Sequence, residues 1–278
     1  MMLTTAQDET LPLGVSKMGG LPDLPANFVW PYYGDKPLTF IGQFRLSELA
    51  PHDTSGLLPK TGRLYFFYEA DEAGLFEVPD RNVWRLAYIE DEAAPLVRTV
   101  HPTFQGKWGL IQSLPAHAIR YVDALSMPIV FWNSRMDVGV DFEDVSQSGQ
   151  SIDNVKSDAI PAAFNSYWEI VSPFIDHPLH FWFGHPCRYQ NLVEREAVIE
   201  SEQISLQQDS QTGLYHYTDE QLAHIQSQMQ QWQFLFQIDT DASLGVTWGE
   251  TGSLYICIPK ASLANRQFQD CWTIMQCT

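Results

Sequence analysis

Apolar and polar positions repeat in the same order at two distant places in the chain. Phe40-Ile41-Gly42-Gln43-Phe44 is followed by Gly62-Arg63-Leu64-Tyr65-Phe66-Phe67-Tyr68, and Phe234-Leu235-Phe236-Gln237-Ile238 by Gly252-Ser253-Leu254-Tyr255-Ile256-Cys257-Ile258. Short runs rich in aromatic and branched residues, bounded by turn formers, predict strands. Each copy therefore reads as two strands joined by a loop, and the pair as an internal duplication. A Gln inside such a run must satisfy its amide, so Gln43 and Gln237 either fix neighbouring backbone or touch a ligand. A Gly-Pro segment precedes each copy: Met18-Gly19-Gly20-Leu21-Pro22-Asp23-Leu24-Pro25 and Phe183-Gly184-His185-Pro186-Cys187. Neither has the spacing of a phosphate-binding loop.

Further strands are predicted over residues 83–90 and 95–100, which carry branched and aromatic residues between acidic turns. Helix signals are fewer. Thr218 precedes a polar stretch reaching about Gln231, with Gln221 three residues on in capping-box position. A second short helix is predicted over residues 164–174. Residues 134–160 lack periodicity and contain Asp137, Asp141, Glu143, Asp144, Asp153 and Asp158 against Arg135 and Lys156, which predicts a surface connector. The expected architecture is α+β. Antiparallel sheets with a few helices form two pseudo-repeated halves, 11–133 and 164–278, packed as one unit across an acidic connector at 134–163.

Taken in order, GGLPDLPANFVWP, PLTFIGQFRLSEL, LPKTGRLYFFY, FGHPCRYQ, FLFQIDTD, WGETGSLYICI and the terminal QCT resemble the YwqG-like family, bacterial domains of unknown function. The resemblance covers about residues 11 to 278. It implies antiparallel sheets in two related halves and carries no activity onto named residues. His185, Cys187 and Cys257 depart from the family's usual pattern.

Charge narrows the classes of function. Lys+Arg 16 against Asp+Glu 34 gives a formal net charge of -18. This opposes nucleic-acid binding, which rests on many cationic contacts. Residues 1–10 lack a basic and apolar signal pattern, and no apolar run approaches the roughly 20 residues that span a bilayer, so a cytoplasmic chain away from membranes is expected. Four cysteines without paired CxxC spacing predict reduced thiols rather than a disulfide or zinc framework.

Each candidate for chemistry meets a specific obstacle. His177, His180, His185 and Cys187 are the densest set of metal-type ligands, but an extended chain points His177 and His180 to opposite faces, and Pro178 disfavours a helix. Residues 239–250 imitate a calcium loop with Asp239, Asp241 and Glu250, yet Leu244 stands where that loop's turn needs glycine. Cys187, beside Arg188 and near His185, could be a nucleophile but lacks a visible orienting group. GxSxG, HExxH, GxxxxGK[ST] and GxGxxG are absent from the sequence. No catalytic residue, metal or cofactor is therefore assigned.

The acids are more usable. Glu69, Asp71, Glu72, Glu77 and Asp80 form one group, and Glu194, Glu196, Glu200 and Glu202 a second. Such faces can steer a basic partner, so the leading expectation is a non-enzymatic protein that blocks a basic toxin-like polypeptide, as immunity proteins do. The alternative is a ligand or substrate cleft between the halves, lined by Gln43, Gln237, Trp30 and Trp248 with Tyr32 and Trp182 nearby.

Overall fold

A computed structural model describes residues 1–71, 80–106, 109–111, 113–124, 126, 129–130, 178–208 and 215–277. The expected connector, the helix expected over 164–174, His177, Glu72 and Glu77 lie outside the described residues. The fold is α+β, with antiparallel sheets and short helices. The first half supplies β1 (Met2–Thr5), β2 (Lys17–Met18), β3 (Asp23–Pro25), β4 (Thr39–Arg45), β5 (Arg63–Tyr68), β6 (Trp84–Ile89), β7 (Leu96–Arg98) and β8 (His117–Arg120). The second supplies β9 (Phe181–Trp182), β10 (Cys187–Arg188), β11 (Trp232–Asp239), β12 (Gly252–Pro259) and β13 (Trp272–Cys277). The largest sheet runs in the order β1-β8-β2-β4-β5-β6 and the next in the order β9-β11-β12-β13, while β3 pairs with β7 and β10 with residues 129–130 in smaller two-stranded units.

The two sheets share a local construction. Lys17–Met18 pairs with Gln43 and Gly42, and Phe181–Trp182 pairs in the same register with Gln237 and Phe236. In both sheets the next pairing slips by one residue, between Phe40 and Gly42 and between Phe234 and Phe236. The residue inside each bulge, Ile41 or Leu235, uses its carbonyl to accept a backbone N–H from Gly19 (2.9 Å) or Phe183 (2.7 Å). That donor begins a left-handed step. Gly19 and Gly20 have φ of 63° and 67°, and Phe183 and Gly184 have 55° and 77°. Glycine is needed at Gly20 for space as well, since a Cβ there would lie 2.5 Å from the Asp8 carboxylate.

The run Arg63–Tyr68 reads as apolar without a break because both faces of its sheet are covered. Leu64, Phe66 and Tyr68 face the second sheet, while Tyr65 and Phe67 join Leu24, Leu38 and Phe40 in a separate layer beneath Phe28 and Trp30. Between the sheets aromatic rings pack together: Phe44 and Phe236 tilted at 5.4 Å, and Phe66 with Phe236 at 5.6 Å and Trp84 with Trp272 at 5.0 Å edge to face. These contacts make one hydrophobic core out of the two halves. Among the helices, α1 (Leu46–Leu49) follows β4, and α2 (Val193–Ser201) packs on β11, β12 and β13. The polar stretch after Thr218 is α3 (Asp219–Met229), which opens with the expected capping box, and α4 (Lys260–Ala264) follows β12.

Phe236 touches Phe44, Phe66 and Trp182 and is fully buried. Phe236→Ala should lower unfolding free energy by about 3–5 kcal/mol. Val97→Ala, at a side chain 55% exposed, should change it by less than about 0.5 kcal/mol. Urea unfolding of both variants checks the contrast.

Candidate functional site

The most organised polar chemistry lies on the outer faces of the two sheets, where Gln43 and Gln237 stand opposite Tyr65 and Tyr255. In the first half the Gln43 carbonyl oxygen accepts from the Asp23 backbone N–H at 2.8 Å, and the Tyr65 hydroxyl donates to the Asp23 carbonyl at 2.7 Å. In the second half Gln237 accepts from Cys187 N–H at 2.9 Å and Tyr255 donates to the Cys187 carbonyl. Each Gln-Tyr pair thus clamps both backbone groups of the residue that follows Pro22 or Pro186 in the Gly-Pro segment. Burial pushes both phenols above the ordinary tyrosine value, which keeps them protonated donors. A smaller correspondence lies one strand away, where Ser16 Oγ accepts from Arg45 N–H at 2.9 Å and His180 Nδ1 from Asp239 N–H at 3.2 Å.

The clamped residues differ, and so does what surrounds them. Asp23 is fully buried and accepts from Arg98 Nε at 2.8 Å, Gly14 N–H at 2.9 Å and Gln43 Nε2 at 2.9 Å, with Lys17 Nζ 3.9 Å away. Burial pushes its pKa up, but the bonds from Arg98, Gly14 and Gln43 and the charge of Lys17 outweigh it and hold the carboxyl below its ordinary value. Lys17, also fully buried, donates to Asp8 at 2.6 Å. Arg98 ties the same cluster to the chain before it by donating to the carbonyls of Asp8 and Leu11.

In the second half a thiol takes the place of this carboxylate. Burial, with the nearby Asp239 charge, drives the Cys187 thiol far above the ordinary cysteine value, the opposite of what a nucleophile needs. Gln237 Nε2, the counterpart of an amide that makes two bonds in the first half, is buried without a partner among the described residues. The neighbouring acids are engaged. Asp239 accepts from Leu179 N–H at 3.0 Å and Ser253 Oγ at 2.8 Å, and Asp241 accepts from His180 Nε2 at 3.2 Å and from Ser243 N–H and Oγ at 2.7 Å. His180 thus bridges the Asp239 N–H at Nδ1 and the Asp241 carboxylate at Nε2. The hydrogen bond from His180 is the main reason the Asp241 pKa lies well below its ordinary value.

The structure disperses the other residues that the sequence singles out. Gln43 and Gln237 lie in different sheets. Trp248 is buried against Tyr68 in the inter-sheet core and Trp182 packs there on Phe236, whereas Trp30 sits in the separate layer outside the first sheet, donating to the Leu38 carbonyl. Tyr32 is half exposed. His185 is exposed while Cys187 is buried. In the turn after β11, Asp241 organises Ser243 and Leu244, and the Leu244 side chain enters the core. Of the acids, Glu69 is buried 4.0 Å from Lys36, and Asp71 lies 3.8 Å from the same lysine. Asp80 caps Asn82 N–H at 2.9 Å, Glu196 accepts from Gln276 at 2.7 Å, and Glu200 accepts from the Trp272 indole at 2.7 Å. Glu194 is half-buried, and Glu202 is exposed beside His224.

Asp8, Lys17, Asp23 and Arg98 were not singled out by the sequence, although the recurrent Gly-Pro segments marked where the clamped residues stand. The matching Tyr65 and Tyr255 were visible as part of the repeat, without their role. A family model described as Domain of unknown function (DUF1963) matches residues 16–277, a span that holds both clamps. No curated protein matches the sequence.

The clamps differ in their number of bonds, so their loss should differ too. Gln43→Leu strands Asp23 N–H and the Val15 carbonyl and removes one of the bonds to Asp23 Oδ2, and should cost about 3 kcal/mol or more, whereas Gln237→Leu strands Cys187 N–H and should cost about 1 kcal/mol. Paired urea titrations measure the difference. Asp23 and Asp241 have depressed folded-state pKa values, so their stabilisation is present above the ordinary aspartate value of about 3.9 and is lost as pH falls through the folded values. Asp23→Asn should start less stable at neutral pH and lose less stability than wild type on acidification, which urea midpoints across that range test.

Proposed function

The chain belongs to this DUF1963 family, and from that premise we propose that it is a non-enzymatic protein-binding protein of the cytoplasm that covers a basic polypeptide, as immunity proteins and toxin inhibitors do. The finer YwqG-like naming belongs to the same reading. One contrast carries it: the Cys187 thiol is buried and Asp239, Asp241 and His180 serve internal bonding, while the molecule presents a formal net charge of -18 to its surroundings. A field of that sign accelerates encounter with cationic proteins and repels nucleic acid. Exposed Glu202, Asp219 and Glu220 around α2 and α3 belong to this field.

A second reading is favoured by Gln237 Nε2. A buried amide donor without a partner costs about 1–3 kcal/mol, and a small acceptor molecule in the second half would relieve that cost. A thermal-shift panel of metabolites tests it, since a ligand selective for the folded state raises the melting temperature. Loss of that rise in Gln237→Leu would place the ligand at this amide.

The leading reading is tested by purifying the tagged protein from its native cells at low and high salt and identifying bound chains by mass spectrometry. The expected result is one stoichiometric polypeptide of high isoelectric point that rebinds when purified and weakens as salt rises. Recovery of the protein alone at both salt levels would sink the reading.

A further inference from the structure

Among the described residues, buried cations are matched to oxygen acceptors, and Arg195 is the exception. Lys17 donates to Asp8 and to the Leu21 carbonyl, and Arg63 donates to the carbonyls of Gly14 and Glu92. Arg195 stands in the first turn of α2, is 9% exposed, and has its Nε buried without a hydrogen-bond partner. No described carboxylate forms an ion pair with it. Its neighbour is an aromatic face, with the guanidinium carbon 4.5 Å from the centroid of the Tyr217 ring. A ring face attracts the charge but cannot satisfy five N–H donors.

Helix spacing explains why the many acids of α2 do not serve. The residues three and four positions away, which share a helix face with Arg195, are Asn191, Leu192, Val198 and Ile199. Glu194 and Glu196 flank it in sequence and so leave the helix at about 100° to either side. Glu196 accepts from Asn191 and Gln276, Glu200 accepts from the Trp272 indole, and Glu202 lies beside His224. Tyr217 belongs to the segment that leads into α3, whose first-turn acids Asp219 and Glu220 are exposed. The guanidinium is thus withdrawn from water at the meeting of two helices with its donors unmet, a costly state that an oxygen acceptor from outside relieves.

We propose that Arg195, backed by Tyr217, is the binding site for the carboxylate of a small molecule. A carboxylate presents two coplanar oxygens to the guanidinium fork and brings a single negative charge. Single charge matters here, because a phosphate dianion would meet more repulsion from the acids of α2 and α3 while gaining the same one fork. The site goes beyond the basic-polypeptide reading and stands or falls apart from it.

The probe is acetate, which replaces chloride at constant ionic strength around the full chain labelled with nitrogen-15. The Arg195 Nε–H resonance, identified by its disappearance in Arg195→Met, reports binding, together with the backbone amides of Tyr217 and Val198. Acetate should shift all three saturably. In Arg195→Met the two amides should respond with a midpoint raised at least about tenfold, the loss expected when a charged hydrogen-bond partner is removed. Arg195→Lys keeps the charge, lacks the fork, and should also weaken binding. Tyr217→Leu retains the Nε–H reporter and should raise its midpoint severalfold, whereas Arg85→Met, at an exposed arginine of β6, should leave the titration unchanged. Shifts that never saturate, or amide titrations that are unchanged in Arg195→Met, overturn the site. A phosphate midpoint below that of acetate overturns the carboxylate as its ligand.

Discussion

The fold depends on one requirement: backbone laid over a sheet that is buried on both faces must find hydrogen-bond partners without water. A strand in the ladder has them, but the stretch crossing the outer face does not. The chain solves this twice with the same device, a glutamine acceptor and a tyrosine donor on adjacent strands that grip the N–H and C=O of Asp23 and of Cys187. The bulge at Ile41 and Leu235 and the left-handed step at Gly19 and Phe183 bring each crossing segment to its grip.

Much of this was legible in the order of residues. Gln43 and Gln237 stand out because an amide recurs at matching places in apolar runs, Tyr65 and Tyr255 recur with them without a visible role, and Thr218 with Gln221 announces α3 by local chemistry alone. The strands expected at 83–90 and 95–100 formed as β6 and β7 because their branched and aromatic residues had apolar surface to cover. The Asp23 network was not legible. Its members come from four separated segments, and nothing local distinguishes Lys17 or Arg98 from a solvated cation until the fold brings a carboxylate to each. The burial of Glu69 and the internal hydrogen bond of half-buried Glu196 were likewise hidden, since their sequence neighbourhoods look like surface.

The halves share geometry and differ in content. The first fills its outer face with ions: Asp23 with Arg98 and Lys17, and Lys17 with Asp8. The second places Cys187 under the clamp and Phe181 in the position that corresponds to Lys17, so its amide has less to hold. Buried ion networks make weak contributions to net stability but penalise every arrangement that leaves one charge unpaired. The outer face of the first half holds such a network, whereas that of the second is covered by α2, which buries Val193, Ala197 and Val198.

The placement of that ion network affects biosynthesis. Asp8, Lys17, Asp23, Gln43, Tyr65 and Arg98 all lie within the first 98 residues, so a chain emerging from the ribosome can complete the first clamp before any of the second sheet exists. The inner face of the first sheet is completed only later, when Phe236 and Trp272 arrive against Phe44, Phe66 and Trp84. For that interval the nascent chain displays a row of aromatic rings to the cell, the kind of surface that recruits chaperones or drives aggregation.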